Sequence, residues 1–212
     1  NNETARRLLY NFEHATDWDH TAPGVPLEIS GDSLVVCNWI NGLYACTTDV
    51  YAKTIADIQN TLWAWSTSFD VQLRAPSRGC DLVNWFYREG NERADAETWK
   101  ARRGQCHSTM DPRIYTISKY TVRGIRGYFD GGRSSHGVGC GWVLDLFVQP
   151  PPLPPYLHSP SQPMSYWMCD AASEAFAAPP SCTITQAELL ASKRLVEGVV
   201  QVLQSLGCAS PH

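Results

Sequence analysis

Gly127-Tyr128-Phe129-Asp130-Gly131-Gly132, a glycine-rich stretch on to Gly141, and then Trp142-Val143-Leu144-Asp145-Leu146-Phe147-Val148 make up the passage on which the fold turns. β-forming residues on both sides of the glycines predict a hairpin, with strands over 127–130 and 142–148 and a turn over 131–141. Residues 165–169 predict a third strand that closes the meander. Asp130 falls near the inner centre of the hairpin. A carboxylate there interrupts an aromatic strand, where it has no use as a turn or cap residue, so Asp130 is the first candidate for chemistry.

Downstream of the hairpin, residues 150–163 are too rich in proline for sheet or helix and read as an exposed loop. Residues 185–206 then carry the clearest helical pattern in the chain. Leu189, Leu190, Leu195, Val196, Val199, Val202 and Leu203 form its apolar face, Glu188 lies near its start and Gly207 stops it. Upstream, residues 4–14 predict a helix, 27–29 a strand ending at Gly31-Asp32-Ser33, and 34–40 a helix that Asp32 or Ser33 would cap. A second amphipathic helix is predicted over 50–65, a short aromatic strand over 83–87, and a helix over 91–102 with Asp95 in its first turn. Residues 104–126 read as a connector, with enough β-formers over 115–122 for a strand.

Composition narrows the function classes. The 212 residues, 43% hydrophobic and with eight Trp, suffice for a substantial core in a single domain. No apolar run approaches the roughly 20 residues of a membrane helix. The start, Asn1-Asn2-Glu3-Thr4, lacks the features of a signal peptide, which favours an intracellular site (nucleus, cytoplasm or organelle), and the missing initiator methionine suggests a trimmed or excerpted chain. A formal net charge of −4 argues against a general polyanion binder, so any nucleic-acid contact must be local. The eight cysteines show no C-x-x-C pair, which argues against zinc and for free thiols.

Four short acidic motifs, Tyr128-Phe129-Asp130-Gly131-Gly132, Thr185-Gln186-Ala187-Glu188, Gly31-Asp32-Ser33 and Asn91-Glu92-Arg93-Ala94-Asp95, together resemble the ribonuclease H family, including its retroelement members. That family runs hairpin with Asp-Gly, third strand, helix with Glu, strand with Asp-Ser, helices, last strand, and final helix with Asn-x-x-Ala-Asp. Here the cyclic order is intact, but the break falls between the glutamate helix and the aspartate-serine strand. The resemblance therefore implies a circularly permuted α/β domain over residues 1–212: 1–103 as the usual C-terminal half, 104–126 as connector and 127–212 as the usual N-terminal half. It implies a five-stranded mixed sheet flanked by helices, three strands antiparallel and two parallel. Each motif alone is weak; all four in cyclic order are not.

The resemblance implies hydrolysis of the RNA strand of RNA/DNA hybrids, read through 2′-hydroxyls and backbone shape. Asp130, Glu188, Asp32 and Asp95 would be both metal ligands and catalytic residues, holding two Mg²⁺ ions, with Mn²⁺ as substitute, about 3.5–4 Å apart. Asp130 would bridge both ions, Glu188 and Asp32 would complete one shell, and Asp95 would hold the second. Gly131, Gly132, Ser33, Asn91, Thr183 and Thr185 match positions near substrate, although capping is an equal alternative for Ser33, Asn91, Thr183 and Thr185. Arg74, Arg78, Lys100, Arg102, Arg103, Arg123 and Arg126 are candidate phosphate contacts, each alone more in keeping with solvated surface.

The chain departs from the family in two places. Arg88-Glu89-Gly90 runs directly into Asn91 where bacterial members have a loop His, and no basic, Trp-bearing handle helix is evident. A catalytically silent scaffold within a ribonucleoprotein is the second reading, against which the retention of four like charges argues. A window cut from a tandem array is the third. A compact monomer would fit the first reading, and a domain-swapped dimer would fit the third.

Overall fold

A computed structural model describes residues 25–67, 71–73, 82–150 and 165–208. The predicted helix over 4–14, Arg74, Arg78 and nearly all of the proline-rich loop lie outside the described residues. The chain is of the α/β class: one mixed sheet with helices on both faces. In chain order the elements are β1 (Val25–Gly31), α1 (Leu34–Ile40), α2 (Asp49–Thr67), β2 (Val71–Leu73), β3 (Asn84–Trp85), α3 (Glu92–Arg102), β4 (His107–Met110), β5 (Val122–Ser134), β6 (Gly137–Val148), β7 (Tyr166–Ala178) and α4 (Ile184–Ser205).

The sheet runs β2-β1-β5-β6-β7-β4. Strands β5, β6 and β7 form the antiparallel meander, while β1 lies parallel to β5, with Gly31 opposite Phe129. The outer edge of β1 is shared by β2, beside Val25 to Leu27, and β3, beside Ser30 and Gly31, both parallel. The expected three antiparallel and two parallel strand positions are thus present, with one more added by β4.

Successive residues of a strand face opposite sides of the sheet, and β5 shows how this orders the helices. A Cβ on Gly131 would meet Ala187 and Glu188 of α4, whereas one on Gly132 would meet Thr98 and Arg102 of α3. Helices α4 and α3 therefore cover opposite faces at the same end of the hairpin. Helix α4 starts with a capping box, in which the Thr183 side chain accepts from the Gln186 amide and the Gln186 side chain accepts from that of Thr183. It buries Leu189, Leu195, Val196, Val199, Val202 and Leu203 against Ile125, Phe129, Leu144 and Leu146 of the sheet and the flanking core.

The sequence reading is corrected in five places. The connector over 104–126 contains a strand, β4, paired antiparallel with β7 from His107 opposite Ala175 to Met110 opposite Ala172. The strand expected over 115–122 is replaced by 3₁₀ turns at Pro112–Tyr115 and Lys119–Thr121 before β5 begins at Val122. Local hydrogen bonds decide this: the Asp111 carboxylate accepts from the Arg113 amide at 2.8 Å, and the Ser118 hydroxyl from that of Tyr120 at 3.3 Å.

The turn predicted over 131–141 is strand on both sides, up to Ser134 and again from Gly137, because the glycines let α3 lie close on the ladder. At Gly141 a Cβ would come within 2.5 Å of the Thr98 nitrogen. Strand β7 extends far beyond 169, through an alanine-rich stretch with little β-propensity of its own. The strand over 83–87 shrinks to Asn84–Trp85 and passes into a 3₁₀ turn, Arg88–Gly90. Among the described residues no helix is long and apolar enough to cross a membrane.

Candidate metal centre

Asp32, Asp130 and Glu188 come from three elements and meet at one end of the sheet. Asp130 is on the central strand β5, Asp32 directly follows β1 on the neighbouring strand, and Glu188 is in the first turns of α4. Each offers a carboxylate oxygen, and these oxygens all lie within 4.8 Å of one another. Asp130 and Glu188 are only 4% and 5% exposed. Glu188 reaches its place because Gly131, next to Asp130, carries no side chain to hold α4 off the strand.

Burial raises all three acids, nearby carboxylates add to the shift, and the Arg88 charge opposes it. For Asp130, desolvation and then Asp32 lift the pKa to about 6. For Glu188 burial is again the largest cause, followed by Asp130 and Asp32, and the Gly131 amide opposes them. Asp32, half-buried, is also raised by burial. The Asp32 Oδ1 and Glu188 Oε2 atoms are buried and accept no hydrogen bond. Buried anionic oxygens without donors are costly, and a divalent cation is the partner that satisfies several at once. The donor set is all oxygen, the chemistry that suits hard cations such as Mg²⁺, Ca²⁺ and Mn²⁺. The three residues fit a metal ion.

Asp95 stands apart from this set. It lies on α3, half-exposed, with Arg88 Nη2 3.5 Å from its Oδ1. It is still near enough to raise Asp32 and Asp130 through its charge. Asn91, just before α3, does not cap that helix with its side chain; its buried Nδ2 donates to the Phe129 carbonyl at 2.9 Å, and its amide bonds the Asp32 carboxylate. Asn91 thus ties the strand ahead of Asp130 to Asp32.

The other sequence-derived candidates have these surroundings. Gly131 faces α4 and Gly132 faces α3. Ser33 occupies the N-cap position of α1 without a side-chain cap bond. Thr183 caps α4 and has the Tyr51 hydroxyl 3.4 Å from its own, while Thr185 sits half-buried in the first turn. Among the basic candidates, Arg126 is buried and paired with Glu28 at 3.1 Å, and Arg103 lies over the Trp99 ring.

Sequence reasoning treated Arg88 only as a residue standing where relatives have a His. Its guanidinium lowers the proton affinity of Asp32, Asp130 and Glu188 alike. A basic residue three positions ahead of Asn91 was the available signal. Cys37, one of the cysteines expected as free thiols, is free and buried. Its Sγ lies 3.7 Å from the Gly31 carbonyl and 3.6 Å from that of Asn84, either of which can accept its one proton, and burial, then Glu188 and Asp32, push its pKa up to about 12, so it stays neutral beside the acids.

Compared by sequence, the chain matches no protein-family model and no curated protein at a significant level.

Proposed function

We propose that the chain is a metal-dependent endoribonuclease with a circularly permuted ribonuclease H-like fold, hydrolysing the RNA strand of RNA/DNA hybrids. The observation that carries this reading is the buried cluster of Asp32, Asp130 and Glu188, with two carboxylate oxygens left without donors. The sheet supports it as well. A three-stranded antiparallel meander leads into a helix bearing Glu188, and a parallel strand ending in Gly31-Asp32-Ser33 lies beside the strand of Asp130.

Asp130, Glu188 and Asp32 would hold one divalent cation, Mg²⁺ by preference, and Asp95 would contribute to a second once it exchanges Arg88 for metal. Bound there, the ions supply an activated water and charge stabilisation at the leaving 3′ oxygen. The chain's own residues set the geometry. Asn91 and Gly131 hold Asp32 and Glu188 against Asp130, and Thr98 Oγ1, donating to the Asp130 carbonyl at 2.9 Å, fixes the strand from the α3 side. Such preorganised ligands need no rearrangement when charge develops on the phosphate.

The test is cleavage of a labelled RNA/DNA hybrid, beside single-stranded RNA and duplex DNA, with Mg²⁺ or Mn²⁺ and with Asp130→Asn as control. Hybrid-only cutting that disappears in the variant supports the proposal. Folded protein that cuts nothing with either metal overturns it and leaves a scaffold role.

A further inference from the structure

Beside the carboxylates the chain turns out a row of side chains that the core does not use. Within Trp85-Phe86-Tyr87-Arg88, Phe86 packs near the Tyr128 ring, 6.5 Å between centroids, and close against Gly90. Trp85 and Tyr87 instead remain 43% and 54% exposed, and the Arg88 side chain 75% exposed. The two outward rings touch, their centroids 4.8 Å apart and their planes 59° to each other, so they form a corner. That corner is tied to the metal centre: the Trp85 indole N–H donates to the backbone carbonyl of Asp32 at 3.1 Å.

We propose that Trp85, Tyr87 and Arg88 form a nucleotide-docking ledge, which seats the nucleic-acid strand next to the phosphodiester held at the carboxylates. The proposal rests on the nuclease reading above and deepens it. Exposed aromatic rings offer a base or ribose a face without reading its identity, as hydrolysis without sequence preference requires. Arg88, the next residue, offers a cation to the adjoining phosphate, so aromatic and charged groups alternate as the units of a nucleic-acid strand do. The anchor at the Asp32 carbonyl places the ledge one residue's main chain from a metal-binding carboxylate. In a chain of net charge −4, this is the local arrangement through which a polyanion can approach an acidic centre.

The experiment is a fluorescence-anisotropy titration of a labelled RNA/DNA hybrid with the cleavage-silenced Asp130→Asn protein, with and without Trp85→Ala and Tyr87→Ala together. The expected result is a rise in Kd of about ten- to a hundredfold. Circular dichroism should stay native, and Mg²⁺ affinity, measured by calorimetry in the protein with Asp130 intact, should stay within about twofold. Trp85→Phe, which keeps a ring and loses the indole N–H, should retain most of the affinity; a merely structural Trp85 would fail in both variants alike. Tyr87→Ala alone repeats the test if the double variant does not fold. An unchanged Kd in a folded double variant of a protein that does cut hybrids overturns the ledge and spares the nuclease reading. A parent that neither cuts nor binds hybrid, single-stranded RNA or duplex DNA overturns both.

Discussion

Gly131 and Glu188 meet main chain to main chain: a Cβ placed on Gly131 would stand 2.2 Å from the Glu188 nitrogen and 2.3 Å from the Ala187 carbonyl carbon. Neither neighbour can swing aside as a side chain could. Gly131→Ala must therefore push the first turn of α4 off the sheet and carry the Glu188 carboxylate away from Asp130. Overpacking of this kind costs about 1–3 kcal/mol, and a chain of this size loses about 2–4 °C of Tm per kcal/mol. We expect a lower Tm and a Mg²⁺ affinity weakened at least about tenfold. Gly132→Ala is the control, since its Cβ would meet only the Thr98 methyl at 3.1 Å and the flexible end of Arg102 at 3.2 Å. Calorimetry that ranks the two variants the other way contradicts the packing argument.

The pH dependence of the metal-free protein follows from the raised acids. Burial and Asp32 lift Asp130 to about 6, above its unfolded value of 3.8. The folded state thus binds the proton more tightly, which stabilises it below about pH 4, and this contribution is lost as pH rises through 6. Asp32 and Glu188 shift in the same direction. In EDTA, Asp130→Asn should then be more stable than wild type at pH 7–8, by on the order of 2 kcal/mol, with the gap closing towards pH 4. Mg²⁺ should reverse the order at neutral pH. Metal binding, and any cleavage, should fall as pH drops through about 6. Thermal melts of both proteins across this range check the sign, and a gap that widens at acid pH would refute it.

The residues show why some features were legible in the sequence and others were not. Helix α4 announces itself through a continuous apolar face and a cap, and the Asp130 strand through its aromatic neighbours, because in both local pattern and burial agree. Strand β4 has no apolar alternation and exists only because β7 offers it an edge. The length of β7 is likewise set by its ladder with β6, since alanine states no preference for strand. The three clustered acids were legible as motifs, each on its own element. The separation of Asp95 from them, and its contact with Arg88, depends on how a 3₁₀ turn sets the start of α3, which no short-range pattern encodes.

Arg88 lies 3.5 Å from Asp95, and its charge favours the ionised forms of Asp32, Asp130 and Glu188. Its removal has two opposing consequences. Arg88→Ala lets the acids hold their protons to higher pH, which weakens metal binding below about pH 7, and it removes a cation that repels the metal, which strengthens binding where all the acids are ionised. The Mg²⁺ affinity curves of wild type and Arg88→Ala should cross as pH rises. Because the guanidinium is largely exposed, the difference should be a few-fold at low ionic strength and should shrink towards 1 M salt, where the screening length is about 3 Å. Curves that stay parallel at every pH would show that Arg88 acts by contact rather than by charge.

Asn91 is buried, its amide donates to the Phe129 carbonyl and bonds Asp32, and its own Oδ1 accepts nothing. Asn91→Ala leaves that carbonyl and the Asp32 carboxylate short of a donor, at a cost of about 1–3 kcal/mol. Asn91→Asp is more informative. It keeps the shape, removes the donor and sets a further carboxyl beside Asp32, where like charges repel in a low dielectric. In EDTA at pH 8 its Tm should therefore fall below that of Asn91→Ala, whereas added Mg²⁺ should raise the Tm of Asn91→Asp by more than it raises wild type, since each acid that gains a cation is relieved of its neighbours. If Mg²⁺ stabilises Asn91→Asp no more than Asn91→Ala, position 91 does not share the field of the metal centre and its role is confined to the Phe129 hydrogen bond.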